Sequence, residues 1–562
     1  MDRLSTSRYW HRCSAASSRR AGLRSRGAFT LLCSATLAAS VAAATSARAE
    51  EPPSRPAVGH EPAADPCAVF DASEGPRPAS SPRLTGDATA YEPLVHAAFG
   101  RCMKLELPAS IAGRVESVSH FPVDRYGNTF GGPSASPQLR LGARFISGMQ
   151  WAPIVVLAET EFDLLTGYVA KDPGLAGDGF PASQGLTIQL RKLHARASLG
   201  RLVHLDLGAQ TNHFGMGLVS NDGAHGWEPG SASFSDPRGG DRVLRAQLST
   251  GPGTPLSLAV ALGADKVIGD DALLPGDSAR QLFGAVLAGV GKPTSGGAYV
   301  ARRHQENARG RTTDVTILDL TGKTTLPLTG AVLGLETEWA LITGTTQLGA
   351  TVDHPEHDVL QLGGAARVSL DAGAVGTVID FLYASGDQNP YDDDQNAFLV
   401  DPNYEFGLLL FRQVIAAQSA RGAGTAADPQ LVGVAPEDLE RLATRGSVTN
   451  TVALFPKLLV RPLAGLEAYG GPLFALANVP YTDVFNTEIT GGSPRGPLGA
   501  PAGPTFGVEF DGGVRYRALL SGSELTLGLE GGVLSPSSAF RELDGATMGS
   551  VYGGRAMARY RL

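Results

Sequence analysis

The sequence predicts an all-β protein, a transmembrane antiparallel β-barrel of about eighteen strands. The 562 residues include 71 glycines, mean hydropathy is −0.02, and beyond the N-terminus no apolar run approaches the roughly 18 residues of a spanning helix. From residue 109 to the end, short runs of alternating apolar and polar residues recur, each closed by turn-forming residues. The connections between these runs alternate between tight and long. A soluble sandwich has no reason to place all its long loops at one end, whereas a membrane barrel does.

Residues 1–49 predict a secretory signal peptide. An arginine-rich stretch is followed by an apolar stretch from Ala28 to about Ala44 and by the cleavage signal Ala47-Arg48-Ala49. This segment carries eight Arg and one Asp, so its removal changes the net charge from −8 to −15. Because an exported chain this acidic repels nucleic acid, we exclude that class of partner.

Residues 50–108 predict a short N-terminal periplasmic segment that begins with a Pro-rich stretch. Its two cysteines, Cys67 and Cys102, would lie in an oxidising compartment, and a disulfide between them is the simplest interpretation. A zinc site is the weaker alternative, because two cysteines without a nearby histidine pair do not supply the usual ligands.

Residues 109–562 predict the barrel itself. In residues 139–145 the apolar side chains alternate with Arg140, Gly142 and Arg144, and this period of two is typical of a strand with one apolar and one wet face. The predicted strands lie near residues 109–120, 138–149, 152–163, 185–198, 200–210, 241–250, 255–266, 281–291, 296–305, 312–322, 326–342, 358–371, 374–385, 447–460, 463–478, 505–518, 523–534 and 548–562. Tight turns are expected at residues 251–254, 371–373, 461–462 and 521–523, with long loops at 164–184, 211–240, 386–446 and 479–504.

The C-terminal strand directs Ala556, Ala558, Tyr560 and Leu562 to lipid, and its arginines inward. This pattern resembles the terminal assembly strand of Gram-negative outer-membrane proteins, although an aromatic residue usually ends that strand. The resemblance implies an outer-membrane location, with outer-membrane lipids and the barrel-assembly machinery as partners.

Two loop motifs carry a further resemblance. Ala384-Ser385-Gly386-Asp387-Gln388-Asn389-Pro390-Tyr391-Asp392 resembles the motif after a strand in alginate-export-type outer-membrane barrels. Gly208-Ala209-Gln210-Thr211-Asn212-His213-Phe214-Gly215-Met216-Gly217 resembles a stretch of uncharacterised outer-membrane barrels of the same general kind. The resemblance implies an eighteen-strand, porin-like channel across most of residues 109–562.

The inward faces of the strands carry the candidate site, because a barrel this wide must hold water, loops or a plug. Opposed cations and carboxylates across a lumen would orient and select polar solutes, with a lean toward anionic or polyhydroxylated ones. The alternative is that these charges pair with one another and fill a polar interior. The predicted lumen residues are Arg140, Arg144, Glu159, Glu161, Asp163, Arg367, Arg515, Arg517 and Arg559.

The loop at residues 386–446 is acidic and contains two apolar segments. Asp387, Asp392, Asp393 and Asp394 offer the hard oxygen ligands that suit Ca²⁺, without the spacing of an EF-hand; a solvated acidic loop is the competing interpretation. Residues 406–421 predict a helix, and a second begins near residue 436. The helix pair would either fold into the lumen as a constriction or pack against neighbouring loops.

The sequence favours a channel over an enzyme, because scattered histidines and the absence of a nucleophile elbow leave no catalytic motif. The predicted function is passage of small hydrophilic solutes, including sugar acids or a polysaccharide for export, with no cofactor other than the possible Ca²⁺. The alternative is a plugged structural or adhesive barrel acting through its acidic extracellular loops. An outer-membrane hydrolase assembled from separate strands is the third hypothesis.

Overall fold

A computed structural model describes residues 96–98, 103–148, 154–167, 184–200, 202–223, 240–252, 256–349, 354–389, 391–432, 438–520 and 523–562. The predicted signal peptide, Cys67 and Cys102 lie outside these residues. In the part described, no helix is long and apolar enough to span a membrane.

Eighteen long strands form one antiparallel sheet that closes on itself, as the sequence predicts. In chain order they are β1 Ala109–Pro122, β2 Thr129–Gly148, β3 Ile154–Gly167, β4 Gln184–Leu199, β5 Val203–Thr211, β6 Arg242–Thr250, β7 Ala259–Gly269, β8 Ser278–Ala288, β9 Thr294–Glu306, β10 Thr312–Leu328, β11 Ala331–Thr346, β12 His357–Asp371, β13 Val375–Ala384, β14 Thr451–Leu463, β15 Leu466–Ala477, β16 Thr505–Leu520, β17 Ser523–Pro536 and β18 Val551–Arg561. Each strand pairs with its successor, and β18 pairs with β1 from Gly553↔Val118 to Arg561↔Ser110.

Several strand ends differ from the prediction. Strand β2 begins at Thr129 rather than near 138, because the glycine- and proline-rich residues 131–133 still pair with β1. The turn expected at 461–462 lies at 464–465 instead, since Leu463 pairs with Leu466 and Gly465 supplies a φ of +78°. Tertiary pairing overrides the local turn signal in both places.

The barrel wall extends before residue 109. A short strand, Met103–Glu106, pairs with β2 in the same register as β1, with Glu106 opposite Arg144 and Ala109 opposite Leu141. Pro108 interrupts this otherwise continuous strand because proline has no backbone N–H to donate. A second short strand, His96–Ala98, pairs with Met103–Glu106 and forms a small hairpin at the end of the barrel where the tight turns lie.

The outer face is an apolar band. Large hydrophobic side chains point outward from nearly every strand, among them Ile188, Leu248, Leu282, Leu320, Leu360, Leu458, Val514 and Leu529. Their neighbours along each strand point inward and are mostly polar or small. A closed barrel leaves no unpaired backbone edge in lipid, so this protein is a Gram-negative outer-membrane β-barrel. Its long loops are extracellular and its tight turns periplasmic.

The largest buried apolar cluster lies inside the barrel, at its extracellular end. Residues 398–426, which we call the plug, belong to the loop between β13 and β14 and enter the lumen. The plug contains a π-helical turn, Leu410–Ile415, and helix α1, Ala416–Ala426. It packs on small and apolar inward side chains of the wall: Val118, Phe121, Ala340, Ala365, Leu382, Ala453, Phe455, Leu473, Phe506, Leu534 and Val551.

Two short helices lie in the extracellular loops. Helix α2, Pro429–Val432, follows the plug, and helix α3, Val484–Ile489, lies in the loop between β15 and β16. A 3₁₀ turn at Leu439–Leu442 lies where a second loop helix was predicted to begin, and residues 433–437 are outside the described part. The helix predicted at residues 406–421 could either enter the lumen or pack against neighbouring loops. In the structure this segment lies in the lumen.

The apolar band makes a direct prediction about stability. Leu529→Arg places a charge on the lipid face of β17 and should destabilise the barrel by about 2–4 kcal/mol, the cost found for basic residues near the bilayer midplane. Leu543→Arg is the matched control, because Leu543 is 62% exposed in an extracellular loop and Leu529 is 65% exposed on the wall. Reversible urea unfolding in liposomes measures both. Equal stability of the two variants would contradict the assigned lipid face.

Candidate functional site

Two parts of the lumen wall differ in the exposure of their cations. On β2 to β5, ion pairs run between adjacent strands: Arg140 with Asp163 at 2.5 Å, Lys192 with Glu159 at 3.0 Å and Arg196 with Asp206 at 2.6 Å. The cations of these pairs keep 22%, 25% and 23% of their side-chain surface exposed. Because these residues face inward, that exposed surface borders the water-filled part of the lumen. We call these three cations the wet ladder.

On the adjoining part of the wall, β16 to β18 and β1, the cations are enclosed. Arg515, Arg555 and Arg114 keep 1%, 3% and 2% of their side-chain surface exposed. Arg515 Nη2 and Arg555 Nε donate to the two oxygens of Glu530 at 2.6 and 2.7 Å, and the Tyr469 hydroxyl donates to the same carboxylate at 2.7 Å. A buried charge network of this kind is stable when its hydrogen bonds are satisfied and costly when one partner is removed.

The same network ties the plug to the wall. Both Nη atoms of Arg555 donate hydrogen bonds to the carboxylate oxygens of Glu405 in the plug, at 2.7 and 2.8 Å. Arg412, also in the plug, lies 3.0 Å from Glu405 and 4.0 Å from Glu116 on β1. The bidentate geometry fixes the orientation as well as the distance of the plug.

A wall carboxylate also holds the plug by its backbone. Glu509 on β16 is fully buried and accepts hydrogen bonds from three successive N–H groups, those of Leu408, Leu409 and Leu410, at 2.6 to 2.9 Å. These are the N–H groups at the start of the π-helical turn, which lack partners within the helix and attract negative charge. Gly407 precedes them with a φ of +81°, and a Cβ there would press on Glu509 and Leu473.

A second loop is held in the same way. Glu338 on β11 accepts from the N–H groups of Met216, Gly217 and Leu218, the last two at 3.0 Å. Gly215 precedes this run with a φ of +59°, and a Cβ there would meet Glu338. The two loops also contact each other, since the Asp401 N–H of the plug loop donates to the Leu218 carbonyl at 2.8 Å.

Extracellular loops form a lid above the plug. Arg441, beyond the plug in the same loop, donates to both oxygens of Asp277 in the β7–β8 loop at 2.7 and 2.8 Å. Arg421 of α1 donates to Asp124 in the β1–β2 loop at 2.7 Å. Beside the first of these contacts lies a cavity of about 370 Å³, lined by residues 240–242 and 268–277.

Helix α3 packs against α1 through a titratable contact. Asp483 caps α3 by accepting from the Asn486 N–H at 2.8 Å, and a Cβ at Gly422 of α1 would collide with the Asp483 carboxylate. Burial raises the pKa of Asp483 to about 7, and the nearby Asp124 carboxylate acts in the same direction. Burial also raises the pKa of Asp241 at the cavity, where Asp401, Asp270 and Asp271 add to the shift.

The periplasmic mouth is rich in arginine. Arg517, Arg559 and Arg561 are 29%, 21% and 38% exposed, and all three approach the buried Glu524, at 2.5, 3.4 and 3.8 Å. Three cations around one carboxylate give this end of the wall a net positive charge.

All nine predicted lumen residues lie on the inner face, but they separate into groups. Arg140, Glu159, Glu161 and Asp163 belong to the wet wall, Arg144 pairs with Glu106 at its periplasmic end, and Arg367 pairs with Asp380 at 2.5 Å. Arg517 and Arg559 lie at the periplasmic mouth, whereas Arg515 is enclosed behind the plug. The contacts of these residues are therefore mainly ion pairs with opposite charges, which is the alternative interpretation given in the sequence analysis.

The carboxylates of the acidic loop form hydrogen bonds and ion pairs among the residues that the structure describes. Asp387 accepts from the Asn389 and Asn396 N–H groups, Asp392 accepts from the Asp394 N–H, and Asp393 pairs with His354 at 2.7 Å. In the part of the chain that the structure describes, no three His, Cys, Asp or Glu side chains converge as metal ligands. A Ca²⁺ site in this loop therefore stays a prediction.

Sequence reasoning missed the residues that hold the loops, Glu338, Glu509, Glu405 and Arg412. One sequence signal could have pointed to these anchors: a glycine followed by apolar residues in a loop that is too apolar to remain exposed to water. It occurs at Gly215-Met216-Gly217-Leu218 and at Gly407-Leu408-Leu409-Leu410. The partner carboxylates lie more than 95 residues away on the wall, beyond the reach of any local pattern.

We predict that Glu509→Gln loosens the plug. Glutamine keeps the shape but loses the charge of an acceptor for three N–H groups, at a cost of about 2–3 kcal/mol. Amide exchange at residues 408–410 should accelerate while exchange at 216–218 stays unchanged. Glu338→Gln is the reciprocal control and should release 216–218 alone. Equal protection in wild type and Glu509→Gln would contradict the proposed anchor.

The pKa of Asp483 predicts a pH-dependent lid. The pKa of Asp483 in the closed lid exceeds that of an exposed carboxyl, so the closed lid binds more protons than the open one. Closure is therefore favoured as the pH falls from about 8 through 7 toward 4. Amide exchange of α3, corrected for its intrinsic pH dependence, should show more frequent opening at pH 8 than at pH 5. Asp483→Asn retains a capping side chain and should abolish that difference. A pH effect that persists in the variant would assign it to another group.

Comparison with known proteins finds solved structures that align with this chain but does not assign the chain to a family. No protein-family model matches the chain, and no curated protein matches it. Among solved structures, OccAB1 of Acinetobacter baumannii aligns with a TM-score of 0.48 and 11% identity over 81% of this chain and 96% of that one. A BenF-like porin from Pseudomonas fluorescens Pf-5 gives 0.44 and 11% over 81% and 98%. Pseudomonas aeruginosa OccK2 (OpdF), in complex with glucuronate, gives 0.43 and 13% over 81% and 98%. The eighteen-strand barrel itself rests on the strand pairing of this chain.

Proposed function

We propose that this barrel is a selective outer-membrane channel for small hydrophilic solutes with a preference for anions. The observation that carries the proposal is the wet ladder. Arg140, Lys192 and Arg196 keep about a quarter of their surface in the lumen, while the cations behind the plug keep 3% or less. A solute would therefore pass along β2 to β5, beside the plug rather than through it.

Charge distribution along this path supports the anion preference. The wet ladder presents three basic side chains on two strands, β2 and β4, each already oriented by a carboxylate on a neighbouring strand. At the periplasmic mouth Arg517, Arg559 and Arg561 continue the positive side of the path. Ordered cations along a water-filled path with low-dielectric walls lower the free energy of a passing anion.

Sugar acids and exported polysaccharide are the finer candidates. They follow from the resemblance of residues 384–392 to alginate-export-type barrels, which no family model supports, so this assignment stays a prediction. Outer-membrane lipids and the barrel-assembly machinery are the further partners that a barrel of this kind implies. We assign no enzymatic activity, and an esterase assay on purified protein tests that assignment.

A plugged barrel that acts through its surface loops is the second candidate function. The apolar core between plug and wall favours it, because the plug, the wall and neighbouring loops share one cluster of more than thirty buried residues. Planar-bilayer recording separates the two functions: reproducible conductance supports the channel, and its absence under all conditions, Glu509→Gln included, supports the plugged barrel.

The wet ladder makes a quantitative prediction about selectivity. Lys192→Gln and Arg196→Gln should each raise the cation-to-anion permeability ratio by up to about fivefold, the effect of one charge at contact distance in water. Arg541→Gln is the matched control, since it removes one exposed cation from the extracellular loop between β17 and β18. Reversal potentials in a salt gradient measure the ratio. Identical ratios in the ladder variants and Arg541→Gln would contradict the proposed path.

A further inference from the structure

The outer surface of the barrel carries a row of cations where the rest of the wall is apolar. Lys266 on β7, Arg280 on β8 and Arg302 on β9 all point outward and are exposed, and His304 lies beside them on β9. We call these four residues the outer basic row. It belongs to neither the lumen nor the lid, so the channel proposal does not account for it.

Strand register brings the row together. Lys266 pairs directly with Arg280, and Arg280 pairs with His304, so their side chains are cross-strand neighbours on one face. Arg302 lies two residues from His304 and therefore on the same face, one step nearer the centre of the wall.

The row lies at a defined height in the membrane. Below it, Leu248, Leu262, Val300 and Leu318 occupy the next outward level of the neighbouring strands and belong to the apolar band. Above it, β7 ends at Gly269, β8 begins at Ser278, and β9 ends at Glu306, where extracellular loops begin. The row thus stands at the border between the hydrocarbon layer and the extracellular surface, the level of the outer-leaflet headgroups.

The described residues of strands β14 to β18 carry no such row of cations on their outer face. On β14 to β18 the outward residues near the extracellular ends are apolar: Leu454, Leu476, Val508, Val533 and Tyr552. A cluster of cations is costly beside lipid tails, and the overall net charge of −8 offers no general reason for one here.

The cations are available to a ligand. Lys266 and Arg280 form no hydrogen bond or ion pair among the residues that the structure describes. Arg302 has a weak contact, with Asp314 at 3.8 Å and with the Thr316 hydroxyl at 3.2 Å, and 57% of its side chain remains exposed. Asp314 also pairs with His304 at 3.0 Å, and Glu306 lies above the row. These two carboxylates leave the three permanent cations in excess.

We infer that the outer basic row binds the phosphate groups of a phosphorylated glycolipid in the outer leaflet. The chemistry fits because Arg and Lys bind phosphate oxygens by charge-assisted hydrogen bonds, and two arginines can each bind in a bidentate manner. Acyl chains of the same lipid would lie on the apolar residues directly below. The lipid, rather than a free anion, is the occupant, because cations and apolar surface adjoin on one face of the wall.

Native mass spectrometry of the full-length protein in detergent tests this inference with lipid A as the probe. Lys266→Gln, Arg280→Gln and Arg302→Gln should each weaken lipid A binding about fivefold, the effect of one basic residue near an anionic membrane surface. Asp314→Asn should strengthen it, because it removes a competing carboxylate. Arg541→Gln, outside the row, should bind as wild type does. All substituted residues are exposed, and heat-modifiable gel mobility confirms that each variant is folded.

Two further arms identify the ligand group. Monophosphoryl lipid A, with the same acyl chains and one phosphate fewer, should bind to wild type more weakly than lipid A does. The row substitutions should weaken its binding less than they weaken lipid A binding, because fewer phosphate contacts remain to be lost. Inorganic phosphate alone should form no measurable complex, because it lacks the apolar part. Unchanged lipid A affinity in Arg280→Gln, or a stable complex with inorganic phosphate, would overturn the inference.

Discussion

The structure depends on one constraint, that no backbone N–H or C=O group can remain unpaired in lipid. Eighteen strands satisfy it by closing the sheet between β18 and β1, where Gly553 to Arg561 pair with Val118 to Ser110. Closure fixes the width, and a barrel of this many strands is too wide for wall side chains to fill. The interior must then contain water, loops or both, and this chain uses both.

How the loops enter follows from their own unpaired backbone. A helix start or a tight glycine turn exposes consecutive N–H groups, which cannot be left unsatisfied inside a lumen. Glu509 and Glu338 each accept three of these groups, and the preceding glycines at 407 and 215 allow the close approach. The apolar plug residues gain burial against small inward residues such as Ala340, Ala365 and Ala453. Polar anchoring sets the position and apolar burial supplies most of the stabilisation.

This arrangement divides the lumen and gives each wall its own character. Behind the plug, Arg515 and Arg555 share Glu530 in a dry network whose role is structural. On β2 to β5 the same residue types, in the same cross-strand pairs, stay in contact with water. The same residue types are therefore enclosed on one side and exposed to the lumen, along the proposed solute path, on the other, and the position of the plug decides between them.

The period-two alternation determined the strands and the face of each residue, because pleating alone sends neighbours to opposite sides and the apolar face must meet lipid. The alternation of tight and long connections determined their order. Arg140 and Arg517 were placed correctly for this reason. Local pattern could not give the strand end at Thr129, the start of the plug helix at Leu410 or the partner of Gly407, since each depends on a residue far along the chain. The pairing of Lys266 with Arg280 and of Arg280 with His304 was likewise invisible until register was known. Tertiary structure alone decided which inward charges are wet, because exposure depends on where a distant loop comes to rest.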